Sequence, residues 1–306
     1  MERGSKMELR QLRYFIEVAE REHVSEAAEH LHVAQSAISL QISKLEAELG
    51  VTLFERIGRN VKLTPIGKTF LMHTKTALKA IDYAKKQVDD YLNPEKGTIK
   101  IGYPTSLATH LLPTVISAFK KRQPNISFHL RQGSYSFLVD AVRNGDIDIA
   151  FLGPVPTNHQ DILGHILFTE NVSALIPATH RLADRQSVSL RDLKEEDFVL
   201  FPKGYVLQQI AVNACKQAGF MPNITSEGED MDAIKGLVSA GIGISLLPDS
   251  TFHESIPRFT VKLPIEMPQV KRTVGIITPK NRNLAPSEKV FYEFVKDFFS
   301  VLEQYQ

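Results

Sequence analysis

Four polar residues near the start of one helical segment have side chains that could bind nucleic acid. Gln35, Ser36, Ser39 and Gln41 carry short amide and hydroxyl groups, and the apolar residues around them recur at helical spacing. Groups of this kind form hydrogen bonds with base edges and phosphate oxygens. The pattern therefore predicts a helix that reads DNA, provided that neighbouring elements hold it at the right angle.

The segment before this helix has the features of its supporting partner. Ser25 is predicted to cap a short helix, and Ala27 and Ala28 are small enough for a second helix to cross closely. A break is needed near His32, and histidine is among the non-glycine residues that adopt a positive φ. We therefore predict a helix-turn-helix in which Gln35–Leu49 is the reader. The alternative is a three-helix packing unit that binds no nucleic acid.

The residues after the reader helix are predicted to form a hairpin that carries cations. Two short strands flank Gly58-Arg59-Asn60, and Arg56, Arg59 and Lys62 lie in the strands or at the turn. Such a wing beside a reader helix would reach backbone phosphates or the minor groove. From 35 to 79 there are seven basic and three acidic residues, a local charge of +4 on a chain whose formal net charge is +1. This excess favours a nucleic-acid surface over an ordinary solvated face.

A third helical segment has the periodicity of a coiled coil. Its apolar positions advance by steps of three and four residues. These positions are Ile66, Phe70, His73 or Thr74, Ala77, Ile81, Ala84, Val88 and Tyr91. Because two reader helices must meet half-sites about one helical turn apart on DNA, we predict that this helix forms a dimer. The alternative is a helix that packs only on its own domain.

The sequence changes character after 93–97, Asn-Pro-Glu-Lys-Gly, where we place a domain boundary. Beyond it, predicted strands at 98–103, 126–131 and 147–152 alternate with helical segments. Alternation of this kind predicts an α/β domain with a mostly parallel sheet and helices on both faces. Further strands are predicted at 172–176, 198–201, 243–247 and 273–278, and helices at 107–122, 137–144, 207–218, 230–239 and 287–304.

Hydroxyl groups lie where predicted strands of the α/β domain end. Thr105 and Ser106 follow the first strand and precede a helix, and Gly133 and Ser134 follow the second strand. Ligands of open α/β sheets bind at the carboxyl ends of strands, and the free N–H groups of helix N-termini favour a carboxylate. These residues are therefore candidates for a small-anion site. The alternative is that Thr105 and Ser106 only cap their helix.

Length and composition exclude several classes of protein. The 306 residues suit two or three units of ordinary size, and 43% hydrophobic with 23% charged residues is typical of a globular protein. The single cysteine, Cys215, excludes a disulfide framework and a cysteine cluster around zinc. Apolar runs are too short to span a membrane and no secretory h-region is present, so we expect a cytoplasmic, non-membrane protein. Residues 1–6 are expected to be an added leader or an early start.

The residue patterns of common enzyme sites are not found. The histidines show no metal-ligand spacing with carboxylates, and Cys215 lies in a helical pattern typical of a packed small hydrophobe. Gly241-Ile242-Gly243 enters a strand after a helix, the reverse of the order that a dinucleotide loop needs. We therefore expect no enzyme activity, no metal and no cofactor.

The N-terminal motifs resemble those of the LysR-type transcriptional regulators, without gaps through the third helical segment. The motifs that carry the resemblance are Met7 to Phe15, Ala27-Ala28, Gln35 to Ser39, Leu45-Glu46, Leu53 to Arg56 and Leu63 to Gly67. Two residues depart from the family's pattern. Ala34 replaces a serine that would cap the reader helix, and Leu40 replaces a commonly basic residue. The sequence preference on DNA therefore need not follow the family average.

The resemblance implies the fold and the assembly of that family. It implies a mostly α, winged helix-turn-helix domain over 7–64 (helix-turn-helix about 24–43) and a dimerising linker helix over 65–93. The remainder, 97–306, would be an α/β two-lobed effector domain related to periplasmic solute-binding proteins. Implied partners are double-stranded promoter DNA, a second copy in a homodimer or three more in a homotetramer, and RNA polymerase.

Segments 145–148 and 239–248 resemble the co-inducer domain of the same family. In that family the ligand lies between two lobes, here about 97–168 with 269–306 as lobe I and about 169–268 as lobe II. The resemblance implies a cleft near Thr105, Ser106, Gly133, Ser134, Phe201, Pro202, and Leu246 to Pro248.

Four further segments resemble, within the family, the activators of glutamate synthase genes. They are 21–28, 153–158, 227–230 and 268–275. This resemblance implies 2-oxoglutarate as the co-inducer and glutamate as the opposing signal. A dicarboxylate suits hydroxyl and N–H donors together with a cation, for which Arg131, Lys203 and Lys271 are candidates. Two alternatives stay open: a LysR-type repressor or activator for another small anion, and a cytosolic solute-binding or catalytic protein whose N-terminal helices only oligomerise.

Overall fold

A computed structural model describes residues 7–58, 60–93, 96–108, 110–252 and 256–303. The chain divides into two compact units between Val88 and Asp89, inside a long helix. We call them the N-terminal unit and the C-terminal unit. Each has its own buried apolar core.

The N-terminal unit is helical except for one hairpin. Its elements are α1 (Leu9–Arg21), α2 (Val24–His30), α3 (Gln35–Leu49), β1 (Phe54–Ile57), β2 (Asn60–Leu63) and the greater part of α4 (Pro65–Leu92). Phe15, Ile38 and Leu45 are fully buried between these elements. They lie on the apolar sides of their amphipathic helices, which face the common core. The two strands pair antiparallel.

The turn between α2 and α3 agrees with the prediction at His32 and departs from it at Ser25. His32 has a φ of 53°, which confirms the left-handed break. The helix α2 begins at Val24 and its N-cap is His23, whose Nδ1 accepts a hydrogen bond from the Glu26 N–H at 3.3 Å. The prediction that Ser25 caps this helix is therefore wrong, because Ser25 already lies inside the first turn.

The helix α4 carries the predicted coiled-coil seam, of which some positions pack on the N-terminal core and others are exposed. Phe70 and Ile81 pack against the core formed by α1 and α3. Ile66, Val88 and Tyr91 are exposed instead, and helical periodicity brings these three to one side. The packed positions fix the helix to the N-terminal unit, and we call the exposed positions the uncovered stripe.

The C-terminal unit alternates strands and helices. The strands are β3 (Thr98–Tyr103), β4 (Ser127–Gln132), β5 (Ile149–Leu152), β6 (Ile162–Pro177), β7 (Asp197–Leu200), β8 (Asn223–Glu227), β9 (Ser245–Pro248), β10 (Thr260–Pro264) and β11 (Lys271–Pro279). The helices are α5 (Leu111–Arg122), α6 (Tyr135–Arg143), α7 (Val206–Gln217), α8 (Met231–Ser239) and α9 (Pro286–Glu303). Short 3-10 turns cover Thr105–Leu107, Leu190–Leu193 and Asp249–Phe252.

Lobe I is built on a mixed sheet in the order β6-β11-β5-β3-β4. The strand β3 is parallel to β4 and β5, whereas β11 is antiparallel to β5 and β6. The prediction of a mostly parallel sheet is therefore wrong, because β11 returns from the second lobe and not through a helical crossover. Helices do cover both faces, with α5 and α9 on one core and α6 on the other.

Lobe II is built on the second half of the long strand β6. From Val172 onward β6 pairs antiparallel with β9 and β10. The parallel pair β7 and β8 is joined to the lobe by a bridge between Phe198 and Ile244. Two segments therefore pass between the lobes, one within β6 and one leading into β11; we call this place the crossover.

The structure adds strands that the sequence pattern does not mark. They are β8, β10 and the first half of β6, residues 162–171. The helix α5 begins at Leu111, later than predicted, because a 3-10 turn comes first. Within the described ranges, no helix is both long and apolar enough to cross a lipid bilayer.

Candidate functional site

The side of α3 that faces away from the N-terminal core is polar at the start of the helix. Ile38 and Leu45 are buried against the other helices, whereas Gln35 and Ser36 are exposed and Ser39 is half-buried. These amide and hydroxyl groups lie in the first turns, the part of a reader helix that meets base edges. The structure thus brings three of the four predicted reader residues to one accessible side.

Gln41 and Leu40 change the composition of that side. Gln41 is half-buried and lies about 160° around the helix axis from Ser39. Leu40 is 55% exposed and lies only about 40° from Ser36. The structure therefore separates Gln41 from the other candidates and adds an exposed leucine to the reader side.

Hydrogen bonds donated by main-chain N–H groups fix the hairpin of β1 and β2 beside α3. Glu46 Oε1 on α3 accepts hydrogen bonds from the Leu53 N–H at 2.6 Å and the Phe54 N–H at 3.1 Å. The Val61 N–H of β2 donates to the Glu22 carbonyl at 2.9 Å. Because both strands are tied to the helices, the position of the wing relative to the reader helix is determined by the fold.

The wing does not gather its cations on one face. Arg56 lies opposite Val61, and Lys62 lies opposite Glu55. Residues directly opposite each other share a face, so Arg56 and Lys62 project from opposite faces of the hairpin, and both are exposed. Arg59, the third predicted wing cation, lies outside the described residues.

A cavity of about 310 Å³ lies between the two lobes of the C-terminal unit. Thr105, Ser106, Gly133 and Ser134 line it from lobe I, and Phe201 lines it from lobe II. All five are candidates predicted from the sequence. They follow β3, β4 and β7, whose carboxyl ends face the same space, as ligand sites of α/β sheets do.

The hydroxyl groups of this wall make different hydrogen bonds. Ser106 is buried, and its Oγ accepts a hydrogen bond from Arg272 Nη1 at 3.0 Å. Ser134 caps α6, where its Oγ accepts from the Phe137 N–H at 3.3 Å. The 3-10 turn that begins at Thr105 has no side-chain cap. The alternative that Thr105 and Ser106 only cap a helix is therefore wrong.

Aromatic side chains form part of the lobe II wall. Phe201 and Tyr205 both line the cavity, with their rings stacked at a centroid distance of 5.5 Å. Pro202, Leu246 and Pro248 are not among the described residues that line it. Leu246 is buried in the lobe II core instead, because β9 pairs with β6. The structure therefore leaves these three candidates outside the cavity.

The cation at the cavity is Arg272, which the sequence did not single out. Among the described lining residues it is the only basic side chain. Of the three predicted cations, Arg131 lies over the Phe137 ring, 4.6 Å from its centroid. Lys203 and Lys271 are exposed and are not in the described lining. The structure therefore places a cation at the cavity, at a position that none of the three predicted candidates occupies.

Arg272 is held by a buried carboxylate. Its Nε donates to Glu170 Oε1 at 2.7 Å. Burial lowers the pKa of Arg272, and the negative charge of Glu170 opposes that shift. Within the described residues, the buried Nη2 atom of Arg272 has no hydrogen-bond partner.

Side chains associated with enzyme chemistry have structural roles here. Cys215 is part of the lobe II core, and burial raises its pKa to about 12, so the thiol stays protonated and is a poor nucleophile. His30 Nδ1 lies 2.7 Å from Glu17 Oε1 on the helical surface. In the part of the chain that the structure describes, no group of three or more His, Cys, Asp or Glu side chains could hold a metal.

Two family models match the chain, one for each unit. Residues 9–68 match the model described as a bacterial regulatory helix-turn-helix protein of the lysR family. Residues 93–300 match the model described as the LysR substrate binding domain. The two matches together cover the reader helix, the wing and both lobes.

Individual relatives agree with the family models. The chain is 71% identical over 300 residues to the transcriptional dual regulator GltC of Bacillus subtilis (strain 168), which covers 98% of this chain and 100% of that protein. It is 36% identical over 248 residues to the transcriptional regulator AlsR of the same organism, with coverages of 80% and 81%. The structure of full-length CbnR with its target DNA matches with a TM-score of 0.74 at 27% identity, covering 95% of this chain and 99% of that one.

These relatives are transcriptional regulators and not enzymes. Their matches extend over both units, so the alternative of a solute-binding or catalytic protein with an oligomerising N-terminus is excluded. The chain belongs to the LysR family of DNA-binding transcriptional regulators.

Proposed function

We propose that this regulator controls glutamate synthase genes, with 2-oxoglutarate as the effector that favours activation and glutamate as the opposing signal. The 71% identity with the dual regulator GltC over 98% of the chain supports a shared set of target genes. The likeness of segments 21–28 and 268–275 to activators of those genes supports it further. The single observation that carries the DNA-binding part is the accessible polar side of α3.

In this proposal, Gln35, Ser36 and Ser39 contact base edges in the major groove. They are suited to it because they lie in the first turns of α3 on its accessible side. Arg56 and Lys62 bind phosphates on the two sides of the wing, and Arg59 does so at its turn. Phosphate contacts add affinity without sequence preference, so the two sets of residues make separable contributions.

The uncovered stripe of α4 supports a homodimer. Ile66, Val88 and Tyr91 are exposed, and Ala77 and Ala84 fall between them on the same side. An apolar stripe at this spacing is stabilised when a second copy buries it. Such a dimer carries two reader helices, one for each half-site of the promoter. Two dimers form the tetramer. RNA polymerase is the further partner at the promoter.

The cavity of the C-terminal unit is the proposed effector site. It offers the hydroxyls of Thr105, Ser106 and Ser134 and the guanidinium of Arg272. 2-Oxoglutarate and glutamate share a five-carbon skeleton with two carboxylates, so each fits the same site in turn. An effector changes the arrangement of subunits only through a different affinity for each arrangement.

Fluorescence anisotropy with a duplex from the glutamate synthase promoter tests the reader assignment. We expect Gln35→Ala with Ser39→Ala to weaken promoter binding about tenfold or more, since a lost base contact costs about 1–3 kcal/mol. Affinity for a scrambled duplex should stay unchanged. Gln41→Ala, on the half-buried flank of α3, is the matched control and should bind within about twofold of wild type.

Promoter binding at full strength by the double variant would contradict the assignment of α3 as the reader. If 2-oxoglutarate does not alter promoter binding, the proposal that the chain regulates glutamate synthase genes would still stand. That result would remove the support for 2-oxoglutarate and leave the effector unassigned.

A further inference from the structure

The buried ion pair of Arg272 and Glu170 lies at the crossover between the lobes. The two residues are direct neighbours across β11 and β6, and their side chains are 1% and 7% exposed. Val270 and Val172, next to the pair on one side, belong to the lobe II core, whereas Val274 on the other side belongs to the lobe I core. A charge pair therefore occupies the position where the chain passes from one lobe to the other.

Hydrogen bonds connect this pair to one loop of each lobe. Arg272 Nη1 donates to Ser106 Oγ at 3.0 Å in lobe I. Glu170 Oε2 accepts from the Ser250 N–H at 2.8 Å in the turn after β9 of lobe II, and its Oε1 accepts from Arg272 Nε. Both oxygens of Glu170 are thus engaged, while the buried Nη2 of Arg272 has no acceptor among the described residues. A buried donor without an acceptor is an unfavourable state that a suitable ligand would relieve.

The guanidinium forms part of the cavity wall. Arg272 lines the cavity together with Gly153. A Cβ atom at Gly153 would lie 3.4 Å from Arg272 Cζ, so the glycine places no side chain between the guanidinium and the cavity. Because the Arg272 side chain is only 1% exposed, a ligand reaches Nη2 when the cavity wall shifts slightly. A carboxylate oxygen is the acceptor that forms the strongest hydrogen bond with a guanidinium N–H. Glu229 on the cavity wall repels a second carboxylate, which leaves the hydroxyls of Thr105 and Ser134 for the other end of the ligand.

We infer that Arg272 anchors a carboxylate of the effector through Nη2, while Glu170 keeps its hydrogen bond to Nε and weakens the anchor by the repulsion between the two carboxylates. This inference rests on the proposed function, in which the cavity is the effector site. The ligand then adds a bond to a pair that already joins Ser106 in lobe I to Ser250 in lobe II. Occupancy of the cavity therefore acts directly on the crossover between the lobes.

Isothermal titration of the full chain with 2-oxoglutarate, glutarate and the neutral dimethyl ester of glutarate tests the anchor. Arg272→Gln should weaken binding of both carboxylates by about 10- to 100-fold. Lys271→Gln removes the same charge from an exposed neighbouring residue and should bind within about twofold of wild type. The ester should bind poorly to every variant because it carries no carboxylate.

Glu170→Gln separates an anchoring role from a structural one. The variant leaves Arg272 without its counter-charge, so carboxylate binding should become about three- to tenfold tighter. The rise in melting temperature caused by 2-oxoglutarate should also exceed that of wild type. If the pair only supports the fold, carboxylate binding should instead be weaker in both Arg272→Gln and Glu170→Gln. If Arg272→Gln fails to fold, the Glu170→Gln comparison decides.

Equal carboxylate affinities in Arg272→Gln and Lys271→Gln, or weaker binding in Glu170→Gln, would overturn the inference. In that case, 2-oxoglutarate binding by wild type would still support the effector site, with its anchor elsewhere. If the wild-type chain binds neither carboxylate but still binds promoter DNA, two claims are contradicted: that Arg272 anchors the effector and that 2-oxoglutarate is the effector. The DNA-binding part of the proposal would then stand alone.

Discussion

Burial distinguishes residues that the sequence presents as equivalent. Ser106 and Ser134 are both hydroxyls after strands, yet one accepts a hydrogen bond from Arg272 and the other caps α6. Lys271 and Arg272 are adjacent cations, yet only Arg272 is buried. Residue types and strand ends suffice to predict the hydroxyl wall. They do not predict the buried cation, since its burial depends on pairing with Glu170, 102 residues away.

Leu40 provides a prediction at the residue scale. Because it is exposed beside Ser36 on the reader side of α3, Leu40→Arg should add one phosphate or base contact without disturbing the core. We expect tighter binding to any duplex and a slope of log K against log salt that is steeper by about one. Leu40→Met, similar in size and uncharged, is the control. An unchanged slope in Leu40→Arg would show that this position does not face the DNA.

Cys215 provides a second residue-scale prediction. Its thiol is buried and its pKa is raised to about 12, so little thiolate is present in the folded chain at pH 8. Ellman's reagent should therefore label the native protein only as fast as the lobe II core opens, and should label it promptly in denaturant. Folding favours the protonated thiol, so its stabilising contribution is complete below the unfolded pKa and is lost as the pH rises toward 12. Prompt labelling of the native protein would contradict the assignment of Cys215 to the core.

The elements most readily predicted are those whose periodicity lies within one continuous segment. The helices α3, α7 and α8 and the strand β3 fall where their patterns place them. The long strand β6 does not, because it crosses from one lobe to the other and its two halves are buried against different partners. The antiparallel return of β11 depends on the same crossover. Topology of this kind is a property of the folded lobes and not of local pattern.

The helix α4 gives a prediction at the element scale. Val88 is 58% exposed on the uncovered stripe, and Met72 is 59% exposed on a different side of the helix. In a dimer, Val88→Glu would bury two like charges at the seam. We expect sedimentation equilibrium to report a dimer dissociation constant at least about tenfold higher for Val88→Glu than for wild type. Met72→Glu is the matched control; equal dissociation constants in the two variants would contradict the seam.

For the molecule as a whole, the broad organisation follows from the sequence and the coupling does not. The winged helix-turn-helix, the long helix and the two-lobed α/β domain are confirmed by the family models and by the solved structures of relatives. Motifs of continuous residues carry that level of prediction. An effector bound in the C-terminal unit alters promoter binding only if the assembled subunits have alternative arrangements. The size of the effect depends on the free-energy differences between those arrangements. Those differences are not encoded in any single motif.

The most direct test of the account is DNase I footprinting of the glutamate synthase promoter with the full chain, with and without 2-oxoglutarate. We predict that the effector changes the extent or spacing of the protected segments, that glutamate reverses the change, and that Arg272→Gln binds the promoter but shows no change. Protection that is identical in all conditions would contradict the claim that one chain joins DNA reading to carboxylate sensing.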